Sequence, residues 1–261
     1  MIIQISDIYW VFWRELKRYS RSRIGLVVRI VQPAAWLILI GSTFAGTQSL
    51  LTTTGYPGSY IEYITPGIIM LTSIFSSIFG GATTLWDRRF GYMNKLLTTP
   101  VSRISIAIGK MFGISIISAI QASMIIVIAL LMGVRLGNPI GLLPAMLVII
   151  AFSMGLAGVS LIAAVLAKSQ ESFWATMNFL GMPLFMLSSA LFPLELMPSW
   201  LSIVVKLNPL TYTIELVRTL IIGNSIPNIH LFIDISVLAS FVITMILVAA
   251  YMFKREVSKA F

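Results

Sequence analysis

Long apolar stretches dominate the pattern of hydrophobic and polar positions along this chain. A helix of about 20 residues crosses a bilayer, and six stretches reach that length. We predict membrane-spanning helices at 24–46, 61–85, 104–132, 140–167, 173–192 and 231–253. The pattern therefore predicts an all-α integral membrane protein with one transmembrane domain over 1–261.

Residues 1–23 have a different periodicity, with apolar side chains on one face of a helix and charges on much of the rest. The apolar face comprises Ile5, Ile8, Tyr9, Phe12, Trp13 and Leu16. Arg14, Lys17 and Arg18 belong to the charged part. This pattern is typical of an amphipathic helix in the membrane interface, with its cations toward anionic lipid. Such a helix either only anchors the chain or also holds a cytoplasmic partner, and the two roles are compatible.

The segment 194–222 contains two shorter apolar pieces. Pro198 is placed to open the first, and Asn208 and Pro209 provide an N-cap and a first helical position for the second. A piece of about 14 residues is only about 21 Å long, too short to span. We therefore predict two short re-entrant helices that gate an extracytoplasmic opening, with a structural loop at the interface as the alternative.

Within this predicted gate, Glu215 and Arg218 are three residues apart and can pair on the polar side of the second helix. The candidate gate residues are Pro198, Trp200, Asn208, Pro209, Tyr212, Glu215 and Arg218.

Composition narrows the possible chemistry. The chain is 58% hydrophobic and 10% charged, with a mean hydropathy of +0.96, whereas soluble domains carry about 25% charged residues. Cysteine is absent and His230 is the only histidine, which excludes disulfides, thiolate metal sites and histidine-rich metal sites. We therefore predict no catalytic residue, no bound cofactor and no metal site in this chain.

The basic residues predict an orientation. Of the 18 lysine and arginine residues, all but Arg135, Lys206 and Arg218 fall on one side of the predicted spans. Because lysine and arginine concentrate in cytoplasmic loops, we predict a multi-pass plasma-membrane protein with both termini in the cytoplasm. The net charge of +9 then reflects topology, and nucleic acid is not an expected partner.

The predicted second span is rich in hydroxyls and contains Gly80 and Gly81, which permit close helix approach. Its hydroxyl residues are Ser73, Ser76, Ser77, Thr83 and Thr84. Small and hydroxyl side chains are common helix-packing contacts in membranes. We therefore interpret the hydroxyl residues of this span as packing contacts, with substrate contacts as the alternative.

Residues 86–103, WDRRFGYMNKLLTTPVSR, form the predicted loop between the second and third spans. On a helix, Phe90, Met93 and Leu97 share one side, and Pro100 ends the helix. A solvated connecting loop is one interpretation. The second interpretation is a protruding segment that docks into another protein, and the apolar ridge flanked by arginines favours it.

These motifs resemble those of type-2 ABC transporter permeases. DRRFGYMNKLLTTPVSR is similar to the first cytoplasmic loop of that family, YITPGIIM at 63–70 to its second span, and LMPSWLSIVVKLNPLTYTIELVR at 196–218 to its last extracytoplasmic segment. The family often has Glu-Arg-Glu before the loop glycine, whereas this chain has Asp87, Arg88, Arg89 and Phe90 before Gly91.

The resemblance implies the membrane subunit of an ATP-driven exporter. Two permease chains, identical or paralogous, would surround a pathway, and two ABC ATPase subunits would dock on the loop and the N-terminal helix. ATP and magnesium would be bound by the ATPase, because this chain has no phosphate-binding loop around Gly109 and Lys110. Ile104 stands where such a loop needs a glycine, and Met111 stands where it needs a hydroxyl. The resemblance assigns ATPase coupling to Asp87, Arg88, Arg89, Phe90, Gly91, Met93, Lys95, Leu96, Leu97, Pro100 and Arg103, and interfacial contacts to Phe12, Trp13, Arg14, Lys17 and Arg18.

Other classes of protein remain as alternatives. An ion-coupled secondary transporter requires ionisable groups deep in the membrane and usually an internal repeat, and neither stands out. A non-transporting assembly subunit and an intramembrane hydrolase are further possibilities. The cargo (drug, lipid or glycan) and the choice between homodimer and heterodimer stay open, with a weak preference for an amphiphilic cargo.

Overall fold

Helices make up most of the described chain. The computed structural model describes residues 4–44, 46, 56, 58–223 and 231–259, in which no strand occurs. The helices are α1 (Ile5–Arg21), α2 (Arg23–Thr43), α3 (Tyr60–Arg89), α4 (Tyr92–Leu97), α5 (Arg103–Leu131), α6 (Leu142–Leu166), α7 (Gln170–Met186), α8 (Ser199–Lys206), α9 (Pro209–Ile222) and α10 (Leu231–Lys259). Short 3-10 turns at Pro139–Gly141 and Leu194–Leu196 precede α6 and α8.

Four of the described helical stretches are long and apolar enough to cross a bilayer. They are Tyr60–Arg89, Arg103–Leu131, Pro139–Leu166 and Leu231–Glu256. The apolar part of α2, Val27–Thr43, is shorter, and α7 has 17 residues. The predicted all-α membrane class is therefore confirmed, whereas the count of six spans stays a prediction.

Helix α3 lies at the centre of the bundle and packs on α2, α5, α6 and α7. Its two adjacent glycines permit this close packing. A Cβ built on Gly80 would lie 2.4 Å from Cδ1 of Ile114, and one on Gly81 would lie 2.8 Å from Cβ of Ser160. Only a hydrogen fits at these positions, so α5 and α6 approach the backbone of α3 as the sequence predicts.

Three helices are also joined by a chain of serine hydroxyls. Ser118 Oγ donates to Ser73 Oγ at 2.9 Å, and Ser153 Oγ lies 2.8 Å from Ser118 Oγ. These buried groups belong to α3, α5 and α6 and bond one another inside the core. The packing interpretation therefore holds for Ser73.

Helix α7 ends at Met186, six residues before the predicted end of the fifth span at 192. Pro183 lies inside its last turn, and the side-chain amide of Asn208 donates to the carbonyls of Leu184 at 2.7 Å and Leu187 at 2.5 Å. The predicted boundary was wrong because hydropathy cannot detect a polar side chain that binds the end of a helix from 21 or more residues away.

The bundle has two chemically different ends. At one end, which we call the basic end, α1, α4 and the last turns of α6 and α10 meet in a cluster containing Val11, Met93, Val165 and Phe253. At the other end, the outer end, Tyr60 and Tyr63 of α3 contact the segment after α7. Most of the basic residues lie in elements at the basic end, whereas the side of the membrane that this end faces stays a prediction.

Candidate functional site

Helix α1 packs against α5 at the basic end. Val11, Glu15 and Tyr19 are buried in this contact, whereas Trp13 remains exposed on the predicted apolar face. The glycines of α5 permit the approach. A Cβ on Gly109 would lie 2.8 Å from the carbonyl oxygen of Ile8, and one on Gly113 would lie 2.8 Å from Cβ of Glu15. Helix α1 is thus fixed to the bundle by one face and leaves Tyr9, Trp10 and Trp13 exposed; its position in the membrane interface stays a prediction.

We expect Gly109→Ala to loosen α1, because the added methyl group meets the backbone of α1 and forces the two helices apart. Overpacking of this kind costs about 1–3 kcal/mol. The expected result is a lower melting temperature and faster proteolysis within α1. Val127→Leu adds one methylene group to an exposed position of the same helix and is the matched control. Equal proteolysis of both variants would contradict the role assigned to Gly109.

A buried network of charges lies beneath this contact. The carboxylate of Asp87 accepts hydrogen bonds from Nη2 of Arg14 at 2.7 Å, Nη1 of Arg18 at 3.3 Å and Nζ of Lys110 at 2.6 Å. Glu15 pairs with Arg18 and lies 3.4 Å from Nζ of Lys110. The network joins α1, α3 and α5 through three cations and two carboxylates, which we call the ion network.

Burial makes the ion network sensitive to any loss of charge. Lys110 is 1% exposed and Asp87 is 7% exposed, so neither charge is compensated by water. Burial alone would lower the pKa of Arg14, but its hydrogen bond to Asp87 and the charges of Asp87 and Glu15 outweigh this effect and raise that pKa. The opposite charges of the ion network therefore hold one another in place.

The loop after α3 folds differently from the sequence prediction. Gly91 has a φ of +70° and separates α3 from α4. Phe90 is 80% exposed, whereas Met93 is 3% exposed and packs in the cluster with Val11 and Phe253. The prediction that Phe90 and Met93 share one face was wrong, because the left-handed glycine rotates the second helix relative to the first. The side chain of Leu97 lies outside the described part of the structure.

The other predicted coupling residues either bond within the bundle or face outward. Nη1 of Arg88 donates to the carbonyls of Ala164 at 2.7 Å and Val165 at 2.6 Å, so Arg88 binds the end of α6. The guanidinium of Arg14 lies 4.0 Å from the ring centroid of Tyr92 and connects α1 with α4. The outward-facing group comprises Arg89, Phe90, Lys95 and Pro100, while Leu96 and Arg103 are partly buried.

A groove of about 570 Å³ separates α1 from α4 and opens at the basic end. Trp10, Trp13 and Leu96 provide apolar surface, and Lys17 and Arg21 provide charge. Phe12 lies beside it and packs its ring 5.0 Å from that of Phe112, measured between centroids. The structure thus brings the predicted interfacial helix and the predicted coupling loop together around one groove.

At the outer end, the predicted capping of α9 is confirmed. Oδ1 of Asn208 accepts a hydrogen bond from the backbone N–H of Leu210 at 2.9 Å, and Pro209 is the first helical residue. The hydroxyl of Tyr212 donates to the carbonyl of Lys206 at 2.6 Å. Pro198 directly precedes α8, on which Trp200 is exposed.

Arg218 pairs with Glu215 as predicted, but the prediction of a polar surface there was wrong. Arg218 is 0% exposed. Its Nη2 donates to the carbonyls of Tyr63 at 3.2 Å and Ser189 at 2.9 Å, and its guanidinium lies 3.9 Å from the Tyr63 ring centroid. Burial lowers the pKa of Arg218, but the charge of Glu215 outweighs it and raises the pKa, so the side chain stays charged.

Three important residues were missed by sequence reasoning: Glu15, Lys110 and Tyr63. Lys110 interrupts an otherwise apolar helix between Gly109 and Gly113. A cation among small residues in an apolar helix is a sequence signal for a buried ion pair. Nothing in the sequence identified its partners, which are 23 and 95 residues away.

Comparison with known proteins gives a consistent result. The family model described as ABC-2 type transporter matches residues 6–222. The ycf38 protein of Cyanophora paradoxa, named as a transport permease, is 33% identical over 83% of this chain and 74% of its own length. The daunorubicin resistance ABC transporter permease DrrB1 of Streptomyces coeruleorubidus is 22% identical over 82% and 74%. Nodulation protein J of Rhizobium meliloti is 25% identical over 76% and 75%.

Proposed function

Because this chain belongs to the ABC-2 type transporter family, we propose that it is the permease subunit of an ATP-driven exporter in the plasma membrane. Its basic end faces the cytoplasm, where two separate ABC ATPase subunits bind ATP and magnesium. A second permease, identical or paralogous, completes the translocation pathway. The permease names of several relatives support this proposal.

The ion network is the observation that carries the proposal. It fixes α1 to the ends of two long helices, α3 and α5, through charges that are mostly buried. Arg14 of the network also contacts the ring of Tyr92 on α4. A push on α1, or on α4 through this contact, is therefore transmitted to both long helices as a rigid-body displacement. A helix α1 that only anchored the chain in the membrane would not need these buried ion pairs.

The ATPase contact in this proposal centres on Phe90. It is a large apolar side chain held away from the core by the left-handed glycine that follows it. Arg89 and Lys95 lie on the exposed surface around it. A buried aromatic anchor contributes more binding free energy than a charge at the rim of an interface, so Phe90 is the expected anchor and the two cations orient the partner.

We expect Phe90→Asp to abolish co-purification of the ATPase, because it places a charge in the apolar centre of the interface. Lys95→Ala removes only a rim charge, so its effect should be about 1 kcal/mol or less. Both side chains are exposed, and the melting temperature of the isolated permease should change little in either variant. Retention of the ATPase by Phe90→Asp at the wild-type level would refute this docking surface.

At the outer end we propose that α8 and α9 form the extracytoplasmic gate. They are short helices of 8 and 14 residues. Trp200 and Ile203 of α8, and Leu207 directly after it, face away from the protein. Displacement of α3 at the basic end reaches this gate directly, since Arg218 of α9 bonds the carbonyl of Tyr63 on α3. The two ends of the bundle are thereby coupled through one helix.

A further inference from the structure

A second cavity, of about 130 Å³, adjoins the ion network, and Glu15 and Arg18 of that network lie on its wall. We call it the inner cavity. It lies between α1, α2, α3 and α5, and its walls include Arg29, Ser76, Thr83, Trp86, Ile114 and Ile117. Ser76 and Trp86 are ten residues apart on α3, which corresponds to about 15 Å along the helix. The inner cavity therefore extends from the basic end into the apolar part of the bundle.

Arg29 gives the inner cavity a positive charge with no anionic partner among the described residues. Its guanidinium lies 4.7 Å from the ring centroid of Phe79 and 5.6 Å from that of Tyr19. Glu15 is the carboxylate on the cavity wall, but it pairs with Arg14, Arg18 and Lys110. Charges inside membrane segments are normally paired, so the position of Arg29 calls for an anion.

The aromatic contacts do not replace that anion. A cation–π contact contributes about 0.5–2 kcal/mol, and a neutral ring supplies no counter-charge to Arg29, which lies in the first turns of α2. The rings orient the guanidinium without fully compensating its charge. Arg18 also lines the inner cavity, so the cations around it are in excess over the single carboxylate.

A buried hydroxyl provides a second, independent indication of a ligand. Ser76 is 3% exposed, and its Oγ has no hydrogen-bond partner among the described residues. Thr83, on the same helix and the same cavity wall, instead donates to the carbonyl of Gly80 at 2.6 Å. Buried hydroxyls are normally bonded, so Ser76 has a free donor at the wall of the inner cavity.

We propose that the inner cavity binds the anionic headgroup, a phosphate or a carboxylate, of an amphiphile. Arg29 is its charge partner and Ser76 donates a hydrogen bond to it. Val27, Val28 and Val31 provide exposed apolar surface on the same turns of α2, and the tail covers this surface where it leaves the cavity. A small inorganic anion would gain nothing from this apolar surface or from Ile114 and Ile117. That this amphiphile is also the exported cargo rests on the function proposed above.

The test measures binding without the ATPase. The full-length permease is purified in a neutral detergent and titrated with phosphatidylglycerol, phosphatidylcholine or inorganic phosphate, and the shift in melting temperature is recorded. Wild type is expected to respond to phosphatidylglycerol far more than to the other two. In Arg29→Gln the apparent affinity for phosphatidylglycerol should fall by about tenfold or more, and Arg29→Lys should retain part of it.

Lys168→Gln is the matched control, because it removes one exposed cation outside the inner cavity. It should respond like wild type. Ser76→Val keeps all charges but removes the donor, so it should also weaken the phosphatidylglycerol response, even if Arg29→Gln fails to fold. An unchanged response in both Arg29→Gln and Ser76→Val would overturn the proposal, as would an equal response to inorganic phosphate.

The permease function and the ligand site fail in distinguishable ways. If Arg29→Gln loses the phosphatidylglycerol response but still co-purifies with the ATPase, the inner cavity is a ligand site on an intact permease. If wild type responds to phosphatidylglycerol but never binds an ATPase, the site stands and the exporter proposal fails.

Discussion

Asp87→Ala is expected to abolish the proposed ATP-driven transport and to lower the melting temperature of the purified permease by roughly 5–10 °C. The variant removes the carboxylate that bonds Arg14, Arg18 and Lys110 and leaves three cations around Glu15 alone. Removing one partner of a buried ion pair costs about 3–5 kcal/mol, and the fully buried Lys110 accounts for most of that cost. The loss of transport follows because α1 is no longer fixed to α3.

Two variants separate the ion network from a general loss of charge. Arg89→Ala removes an exposed charge of α3 two residues from Asp87 and should leave the melting temperature unchanged. The double variant Asp87→Asn with Lys110→Met removes one charge of each sign, so the net charge of the ion network is kept. It should recover much of the lost stability, since no lysine is then left uncompensated. Direct pairing of Asp87 with Lys110 would be contradicted if the loss of stability in the double variant equalled the sum of the losses in Asp87→Asn and in Lys110→Met alone.

The local features of the fold could be predicted from the sequence. Asn208 and Pro209 determine the start of α9, and Gly223, with a φ of +72°, ends it. These signals depend on residues within a few positions of one another, so no knowledge of the rest of the fold is required. The long apolar helices are predictable for the same reason, because length and hydropathy are local properties.

The contacts of the charged residues could not be predicted. Asp87 lies next to two arginines in the sequence and was assigned to ATPase coupling, but it is buried and its described partners lie 23 to 73 residues away. Arg14 and Arg18 reach it because Gly109 and Gly113 allow α1 to approach α5, whereas Lys110 reaches it from α5. Charge placement in a membrane bundle thus depends on helix packing, which one sequence does not specify.

The break at Gly91 is an intermediate case. A glycine inside a helical pattern is a known sequence signal for a break, but the apolar spacing of Phe90, Met93 and Leu97 favoured one continuous helix. The left-handed φ at Gly91 sends Phe90 outward and Met93 inward. The residue with the stronger expected contact to a partner is therefore Phe90, and Met93 instead stabilises the base of the loop.

Arg218→Ala is expected to disrupt the outer end of the bundle. Arg218 is the largest fully buried side chain of the described residues. Its loss removes one donor from each of the carbonyls of Tyr63 and Ser189 and leaves the carboxylate of Glu215 without its cation. The combined cost is about 3–5 kcal/mol. We expect a melting temperature lower by roughly 5–10 °C and protease cleavage between α7 and α9.

Three further variants identify which property of Arg218 matters at the outer end. Arg218→Lys keeps the charge but cannot donate to Glu215 and to both carbonyls in the geometry of a guanidinium, so it should recover only a minor part of the stability. Arg218→Met with Glu215→Met removes the uncompensated carboxylate and should be more stable than Arg218→Ala. Arg135→Ala removes an exposed cation near the same end and should behave as wild type. Full stability of Arg218→Lys would show that charge alone suffices. The bonds from α9 to α3 and to the segment after α7 would then not be what stabilises the outer end.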